Sequence, residues 1–227
     1  MNISVELSQV SGYGGFFALT VGGDAAGWHP VGQSYADGFL DLIDATLQRY
    51  GTTELRVGAS LVHLGHAARL WSPLLACALG HGVVPDLAKL QRADDGAQLR
   101  IPEPVGEPLK EPPSPELLYR LLHRLVVRDH MEPLAAGLPV KLAPTLLSGN
   151  IASALVGAAR ALLSVRPDLR QSIIGITRSL LDTGELAGSG VISGGDLNFR
   201  RRSCCLFYRI PGGSLCGDCA LDEPGLR

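Results

Sequence analysis

Apolar residues recur every three to four positions over much of this chain, which is the spacing of helices with one buried face. The segment 38–50 follows this spacing, and Gly51 stands where a helix C-cap is expected. A long helix is predicted to start at the sequence Ser114-Pro115-Glu116, because serine and proline favour the cap and the first turn. Four further helices are predicted over the segments 54–70, 73–79, 146–163 and 167–181.

Strand-like patterns are few and short. The segment 15–21 is rich in aromatic and β-branched residues and is flanked by glycines, which predicts a strand. The segment 98–101 is expected to form another. The stretch 184–195 contains five glycines and is predicted to be a loop.

The segment 102–115 contains six prolines, too many for a helix or for a central strand. It is predicted to be an extended connector between an N-terminal and a C-terminal lobe. The expected fold class is therefore mainly α with a few short β-strands (α+β), with two helical lobes and a C-terminal segment built from loops. The corresponding domain division is 1–198 and 199–227.

Composition narrows the function classes. Hydrophobic residues make up 46% of the 227 residues and charged residues 19%, as in a globular protein, and the net charge of −2 gives no indication of nucleic-acid binding. The longest uncharged stretch, 142–159, is barely long enough for a membrane span and contains proline, glycine and asparagine. It is predicted to be a buried helix, so no integral membrane segment is expected. No secretory signal pattern is present at the N-terminus, and the expected location is the cytoplasm, where thiols stay reduced.

The five cysteines are unevenly distributed. Cys77 stands alone in an apolar run and is expected to be a buried hydrophobic residue. The other four, Cys204, Cys205, Cys216 and Cys219, lie within the last 24 residues with the spacing C-C-x10-C-x2-C. A C-x2-C turn can place two thiolates on one metal, and a [2Fe–2S] cluster needs two such pairs. The adjacent pair can serve only if its backbone is irregular, and the sequence Pro211-Gly212-Gly213 is expected to reverse the chain between the two pairs.

Three alternatives use the same cysteines. A structural zinc site usually has two C-x2–4-C turns, and only one is present. Structural disulfides are disfavoured in the cytoplasm, and a disulfide between adjacent cysteines is strained. A dithiol redox centre at Cys216 and Cys219 lacks the expected βαβ context. The spacing therefore favours an iron–sulfur cluster and leaves zinc as the main alternative.

The segment from Arg201 to Cys219 closely resembles the C-terminal segment of the FhuF-like family of ferric-siderophore reductases. The segment 59–73 resembles the N-terminal helical block of this family, and 147–154 resembles its Gly-Asn helix start, although Ser148 stands where members often have tryptophan. This resemblance implies that the four cysteines ligate a [2Fe–2S] cluster. It also implies one-electron reduction of an Fe(III)-siderophore to Fe(II) in the cytoplasm, which releases the iron. The alternative is a siderophore- or metal-binding protein whose four-cysteine site holds structural zinc.

The reaction needs an electron from outside the protein. The glycine stretches contain neither G-x-G-x-x-G nor a P-loop, so nucleotide and flavin binding have no support in the sequence. The expected partners are the ferric siderophore and an external donor such as a ferredoxin-like protein. Candidate groups that tune the cluster potential are the backbone N–H groups of Gly212, Gly213 and Gly217.

Charged residues flank the cysteines. The arginines are expected to be solvated or paired with nearby acidic residues; alternatively, they attract an acidic donor or an anionic chelate. These arginines are Arg200, Arg201, Arg202 and Arg209, and the acidic residues are Asp196, Asp218, Asp222 and Glu223. Arg202, Arg209 and the surroundings of Asn150 are candidate chelate contacts. One edge of the cluster is expected to be exposed, with Leu206, Phe207 and Leu215 packed on the helices.

Four histidines form spaced pairs on predicted helices. They are His63 with His66, and His123 with His130. No further ligand pattern accompanies them, so packing or surface roles are expected rather than metal binding.

Overall fold

A computed structural model describes residues 1–109, 114–194 and 196–221. Helices dominate this part of the chain and the sheets are small, which confirms the predicted fold class. The helices are α1 (Ser4–Ser11), α2 (Val31–Ala36), α3 (Leu40–Tyr50), α4 (Leu55–His81), α5 (Pro115–His123), α6 (Glu132–Gly137), α7 (Pro144–Val165) and α8 (Arg170–Leu181). The strands are β1 (Thr20–Val21), β2 (Trp28–Pro30), β3 (Val83–Pro85), β4 (Gln91–Ala93), β5 (Leu99–Ile101), β6 (Gly106–Pro108), β7 (Gly190–Ser193) and β8 (Asn198–Arg201).

The strands form three small sheets in the described residues. One has the order β1-β5-β4-β2, in which β1 and β5 are parallel and the other pairs are antiparallel. The other two are the antiparallel pairs β3-β6 and β7-β8. The predicted strand at 98–101 is confirmed as β5.

The central helix α4 is one continuous helix, and the two separate helices predicted over 54–70 and 73–79 are wrong. Pro73 lies inside the helix and removes one backbone hydrogen bond there. Trp71 and Leu75, on either side of it, are fully buried, and Leu74 nearly so. Tertiary packing of this apolar stretch therefore compensates for the lost hydrogen bond.

Two predictions from glycine-rich stretches are corrected. In the predicted strand at 15–21, Gly15–Phe17 forms a 3-10 turn that buries Phe17, and only β1 pairs in a sheet. The predicted loop at 184–195 contains a 3-10 turn at Gly184–Leu186 and strand β7. Residue 195 lies outside the described residues.

The long helix predicted from residue 114 begins as α5, continues as a π-helix at Arg124–Met131 and ends as α6. The π-helical turn directs His130 and Met131 into the interior. Leu117, in the first turn of α5, is 68% exposed. The predictions for α3, for its glycine C-cap and for α7 are confirmed, because Gly51 adopts the left-handed conformation and α7 covers the predicted range.

Helices from both sides of the predicted connector share one apolar core, in which α4 and α7 make the most extensive contact. Within the connector, β6 pairs with β3, and residues 110–113 lie outside the described residues. The division into 1–198 and 199–227 stays a prediction.

Among the described residues, α7 is the one helix long and apolar enough to cross a membrane by length and composition. Its apolar stretch is 61% buried inside the protein, as expected for the core helix predicted here.

Candidate metal centre

The cysteine segment follows the β7-β8 hairpin and folds back on itself. The N–H of Arg201, at the end of β8, donates to the carbonyl of Asp218 at 3.1 Å. The reversal between these residues includes Gly212, whose φ of +68° lies in the left-handed region, and a hydrogen bond of 2.8 Å from Gly213 N–H to the Ile210 carbonyl. The predicted reversal at residues 211–213 is therefore present.

This reversal brings cysteines from the two halves of the segment together. The Sγ atoms of Cys205 and Cys216 lie 3.4 Å apart. The Cys204 thiol interacts electrostatically with Cys205 and Cys219. Cys205 and Cys219 are buried, whereas Cys204 and Cys216 are half-buried. Leu206, directly after the adjacent pair, has a φ of +69°, which provides the irregular backbone that two neighbouring cysteines require.

Backbone N–H groups point at two of the sulfurs. Leu206 N–H donates to Cys204 Sγ and Leu221 N–H donates to Cys219 Sγ, each at 3.3 Å. Among the described residues these bonds do not come from Gly212, Gly213 or Gly217; Gly213 N–H donates to the Ile210 carbonyl, and a tuning role of Gly212 and Gly217 stays a prediction. Hydrogen bonds to sulfur stabilise thiolates and tune an iron–sulfur cluster.

The thiols differ in acidity because they share a hydrogen bond. The contact with Cys216 lowers the pKa of Cys205 to about 6, and the same contact, followed by burial, raises the pKa of Cys216. Burial raises the pKa of Cys204. Cys77, buried in α4, has its pKa raised by burial to about 12 and is an inert packing residue, as predicted.

A buried polar chain anchors the segment to the two central helices. Ser60 Oγ on α4 donates to the Cys205 carbonyl at 2.8 Å. Asn150 Nδ2 on α7 donates to the Ser60 carbonyl at 2.9 Å, and Arg201 Nη2 donates to Asn150 Oδ1 at 2.7 Å. Ser60 and Asn150 are fully buried and Arg201 is 2% exposed. Sequence reasoning missed this role of Arg201, and the available signal was the polar residues within otherwise apolar helices.

The expected partners of the flanking arginines are corrected. Arg209 pairs with Glu54, and Arg202 donates to the Gly188 carbonyl at 3.3 Å. Of the acidic residues, Asp196 pairs with Arg170, and Asp218 accepts a hydrogen bond from Ser153. Asp222 and Glu223 lie outside the described residues.

The hydrophobic residues of the cysteine segment pack on the helices only in part as predicted. Leu206 packs against the core, and the ring of Phe207 lies edge-to-face with Tyr50 at 5.9 Å. Leu215 is 43% exposed, so its predicted packing on the helices is wrong, and Ile210 is buried instead.

The four histidines are buried, which agrees with the expectation of packing roles. His66 Nε2 and His130 Nδ1 each lie 2.8 Å from the Tyr35 hydroxyl. His123 Nε2 lies 3.1 Å from a Glu185 oxygen. His63 has no hydrogen-bond partner on either ring nitrogen among the described residues, and burial, reinforced by Arg201, lowers its pKa to about 3.

A cavity of about 650 Å³ opens beside the cysteine segment. Its walls come from the π-helix, α6, the first turns of α7, the loop 185–189 and residues 202–203. Asn150 does not line it, because its side chain is used in the buried anchor.

The donor set suits an iron–sulfur cluster. The Sγ atoms of Cys205 and Cys216 lie 3.4 Å apart, backbone N–H groups are aimed at the sulfurs of Cys204 and Cys219, and the buried Arg201 is nearby to offset thiolate charge. Among the described residues, no group of three or more His, Cys, Asp or Glu side chains is arranged to hold a single metal ion. A [2Fe–2S] cluster takes two thiolates on each of its two irons, so the four cysteines of this segment match its ligand number.

Comparison with known proteins gives one family match. The model of the FhuF 2Fe-2S C-terminal domain matches residues 201–221, the segment that contains all four clustered cysteines. No curated protein and no solved structure matches the chain. The cysteine segment is therefore similar to the C-terminal 2Fe-2S domain of FhuF proteins, and the match does not extend to the rest of the chain.

Proposed function

We propose that this protein is a ferric-siderophore reductase that passes one electron to chelated Fe(III) in the cytoplasm. The observation that carries the proposal is the coincidence of the FhuF 2Fe-2S match at 201–221 with thiols that converge in space. The chelate's Fe(III) gains one electron and becomes Fe(II), and no covalent bond of the siderophore breaks. The oxygen donors of the siderophore hold Fe(II) more weakly, so the iron is released.

The four cysteines Cys204, Cys205, Cys216 and Cys219 are the proposed ligands of a [2Fe–2S] cluster, which when bound supplies a single electron. The chain itself contributes three functions. The thiolates bind iron, Leu206 and Leu221 direct N–H groups at sulfur, and the anchor through Ser60 and Asn150 holds the segment against the central helices.

The electron is proposed to come from an external one-electron donor such as a ferredoxin-like protein. The half-buried cysteines Cys204 and Cys216 support this proposal, since they leave one edge of the segment open to solvent or to a partner. The buried cysteines Cys205 and Cys219 lie on the side protected by the protein.

Anaerobic purification tests the cofactor. The protein is expected to be reddish-brown, with two irons and two acid-labile sulfides per chain. After reduction with dithionite and removal of excess reductant, it is mixed with ferric chelates. Reoxidation seen in the visible spectrum should match the Fe(II) trapped by a ferrous-specific chelator, one iron per cluster.

Colourless protein that contains one zinc would contradict the reductase proposal and favour the structural-zinc alternative. A coloured protein whose spectrum does not change on mixing with any ferric chelate would support the cluster. It would contradict the proposal that a ferric chelate is the substrate.

A further inference from the structure

We propose that the cavity of about 650 Å³ beside the cysteine segment is the site where the ferric chelate binds. This inference rests on the proposed function and adds the location of the substrate. The cavity has the size expected of a small-molecule site. Its walls are mainly apolar, with a few polar groups.

The cavity lies next to the electron source. Ser203 and Arg202 line it, and Ser203 directly precedes Cys204, so their Cα atoms are about 3.8 Å apart. Electron transfer between centres that do not share a ligand falls off steeply with distance. A chelate in this cavity would therefore be close enough to accept an electron.

Polar atoms in the wall have no partner within the part of the chain that the structure describes. These atoms are both ring nitrogens of His63, Ser189 Oγ and Ser203 Oγ. His63 is fully buried and Ser189 is 7% exposed. Buried polar groups without partners cost stability, and they are characteristic of sites where a ligand supplies the missing hydrogen bonds.

The wall is close to electrically neutral. Glu132 and Glu185 line the cavity, but both pair with Arg128, at 2.7 and 2.5 Å. Arg202 contributes one positive charge and donates to a backbone carbonyl. A strongly anionic chelate would meet two carboxylates here, so the cavity favours a chelate of low net charge.

Binding is tested with Ga(III) chelates, because Ga(III) has the charge of Fe(III) and cannot be reduced by one electron under these conditions. Calorimetry on the anaerobic holoprotein compares an uncharged tris(hydroxamate) complex with a trianionic tris(catecholate) complex. The uncharged complex is expected to bind more tightly. Absence of binding by both complexes, or tighter binding of the trianionic one, would overturn the proposal.

Two variants fill the cavity from different elements: Leu147→Trp on α7 and Ala135→Phe on α6. Each is expected to weaken binding of the uncharged complex about tenfold or more. The matched control is Leu163→Trp, because Leu163 is likewise a partly buried leucine of α7 packed against the core but lies outside this cavity. This variant should bind as the wild type does. Visible spectra and circular dichroism confirm that each variant keeps its cluster and fold.

Fe(II) trapping with the same variants distinguishes failure of the proposed chelate site from failure of the proposed reductase activity. If the filled variants reduce a ferric chelate with unchanged KM, the cavity is not the site although the protein is a reductase. If the filled variants lose Ga(III)-chelate binding but the wild type reduces no ferric chelate, the cavity binds the chelate and the reductase proposal is wrong.

Discussion

At the scale of single residues, the clustered cysteines lie near other thiols, whereas the lone Cys77 lies among apolar side chains. Cys216 shares a sulfur contact with Cys205, whereas Cys77 is fully buried in the apolar interior of α4. Cys216→Ser is expected to lose most of the visible absorbance while the helical signal changes little, because the helices have their own core. The matched variant Cys77→Ser should keep the absorbance and the iron content. Retained absorbance in Cys216→Ser would exclude this cysteine as a ligand.

Asn150 is the residue on which the buried anchor depends. It accepts from Arg201 and donates to Ser60, so Asn150→Ala removes three hydrogen bonds and leaves a buried guanidinium without this partner. The expected loss is about 2–4 kcal/mol of the free energy of unfolding. It is measured as a lower urea midpoint, followed by far-UV circular dichroism under anaerobic conditions. The control Asn198→Ala, at an exposed position of β8, should change the midpoint little.

At the scale of elements, helix α7 contains two glycines with opposite surroundings. A Cβ on Gly149 would clash with Ser203 Oγ and lie 3.0 Å from Arg201 Nη2, whereas a Cβ on Gly157 would meet nothing within 4 Å. Gly157→Ala should therefore raise the free energy of unfolding by about 0.5–1 kcal/mol, the usual gain in helix propensity. Gly149→Ala should lower it by about 1–3 kcal/mol, because it overpacks the contact between helix and tail.

The two glycine variants are compared by their urea midpoints and their visible spectra. Gly149→Ala is expected to alter the cluster spectrum as well, because Ser203 and Arg201 lead directly into the cysteine pair. Equal midpoints for both variants would mean that the cysteine segment moves away from α7 at little cost in free energy. The close contact at Gly149 would then not hold this segment in place.

At the scale of the whole molecule, buried histidines make stability depend on pH. Burial lowers the pKa of His63 to about 3 and that of His130 to about 4, from 6.5 in the unfolded chain. Between these values and pH 6.5 the unfolded state binds more protons than the folded state, so stability is full above pH 6.5 and falls as the pH drops toward 4. From pH 7 to pH 5, each of these histidines should cost about 2 kcal/mol.

This loss is measured as the fall in urea midpoint between pH 7 and pH 5. His130→Gln keeps a polar side chain next to the Tyr35 hydroxyl but removes one group that titrates in this range. The variant should lose less of its stability than the wild type over the same interval. An identical pH dependence in both proteins would show that His130 is already protonated in the folded state.

The positions of α3 and α7 followed from the sequence alone, because the spacing of apolar residues depends on local order along the chain. The 3.6-residue period located α3 and α7, and Gly51 ended α3 as its left-handed C-cap. The spacing C-C-x10-C-x2-C predicted a cluster-binding segment at residues 204–219, and the same segment matches the FhuF 2Fe-2S C-terminal domain.

Tertiary structure decided the features that depend on contacts between distant residues. Helix α4 continues through Pro73 because the surrounding core compensates for one lost hydrogen bond, which no local pattern predicts. Arg201 was expected to be solvated or paired with a nearby acidic residue, yet it is buried and donates a hydrogen bond to Asn150, 51 residues earlier. The cavity likewise exists only where α6, α7 and the cysteine segment meet. Local sequence determines many of the elements and the cysteine spacing, whereas burial and cavities arise from the way the elements pack.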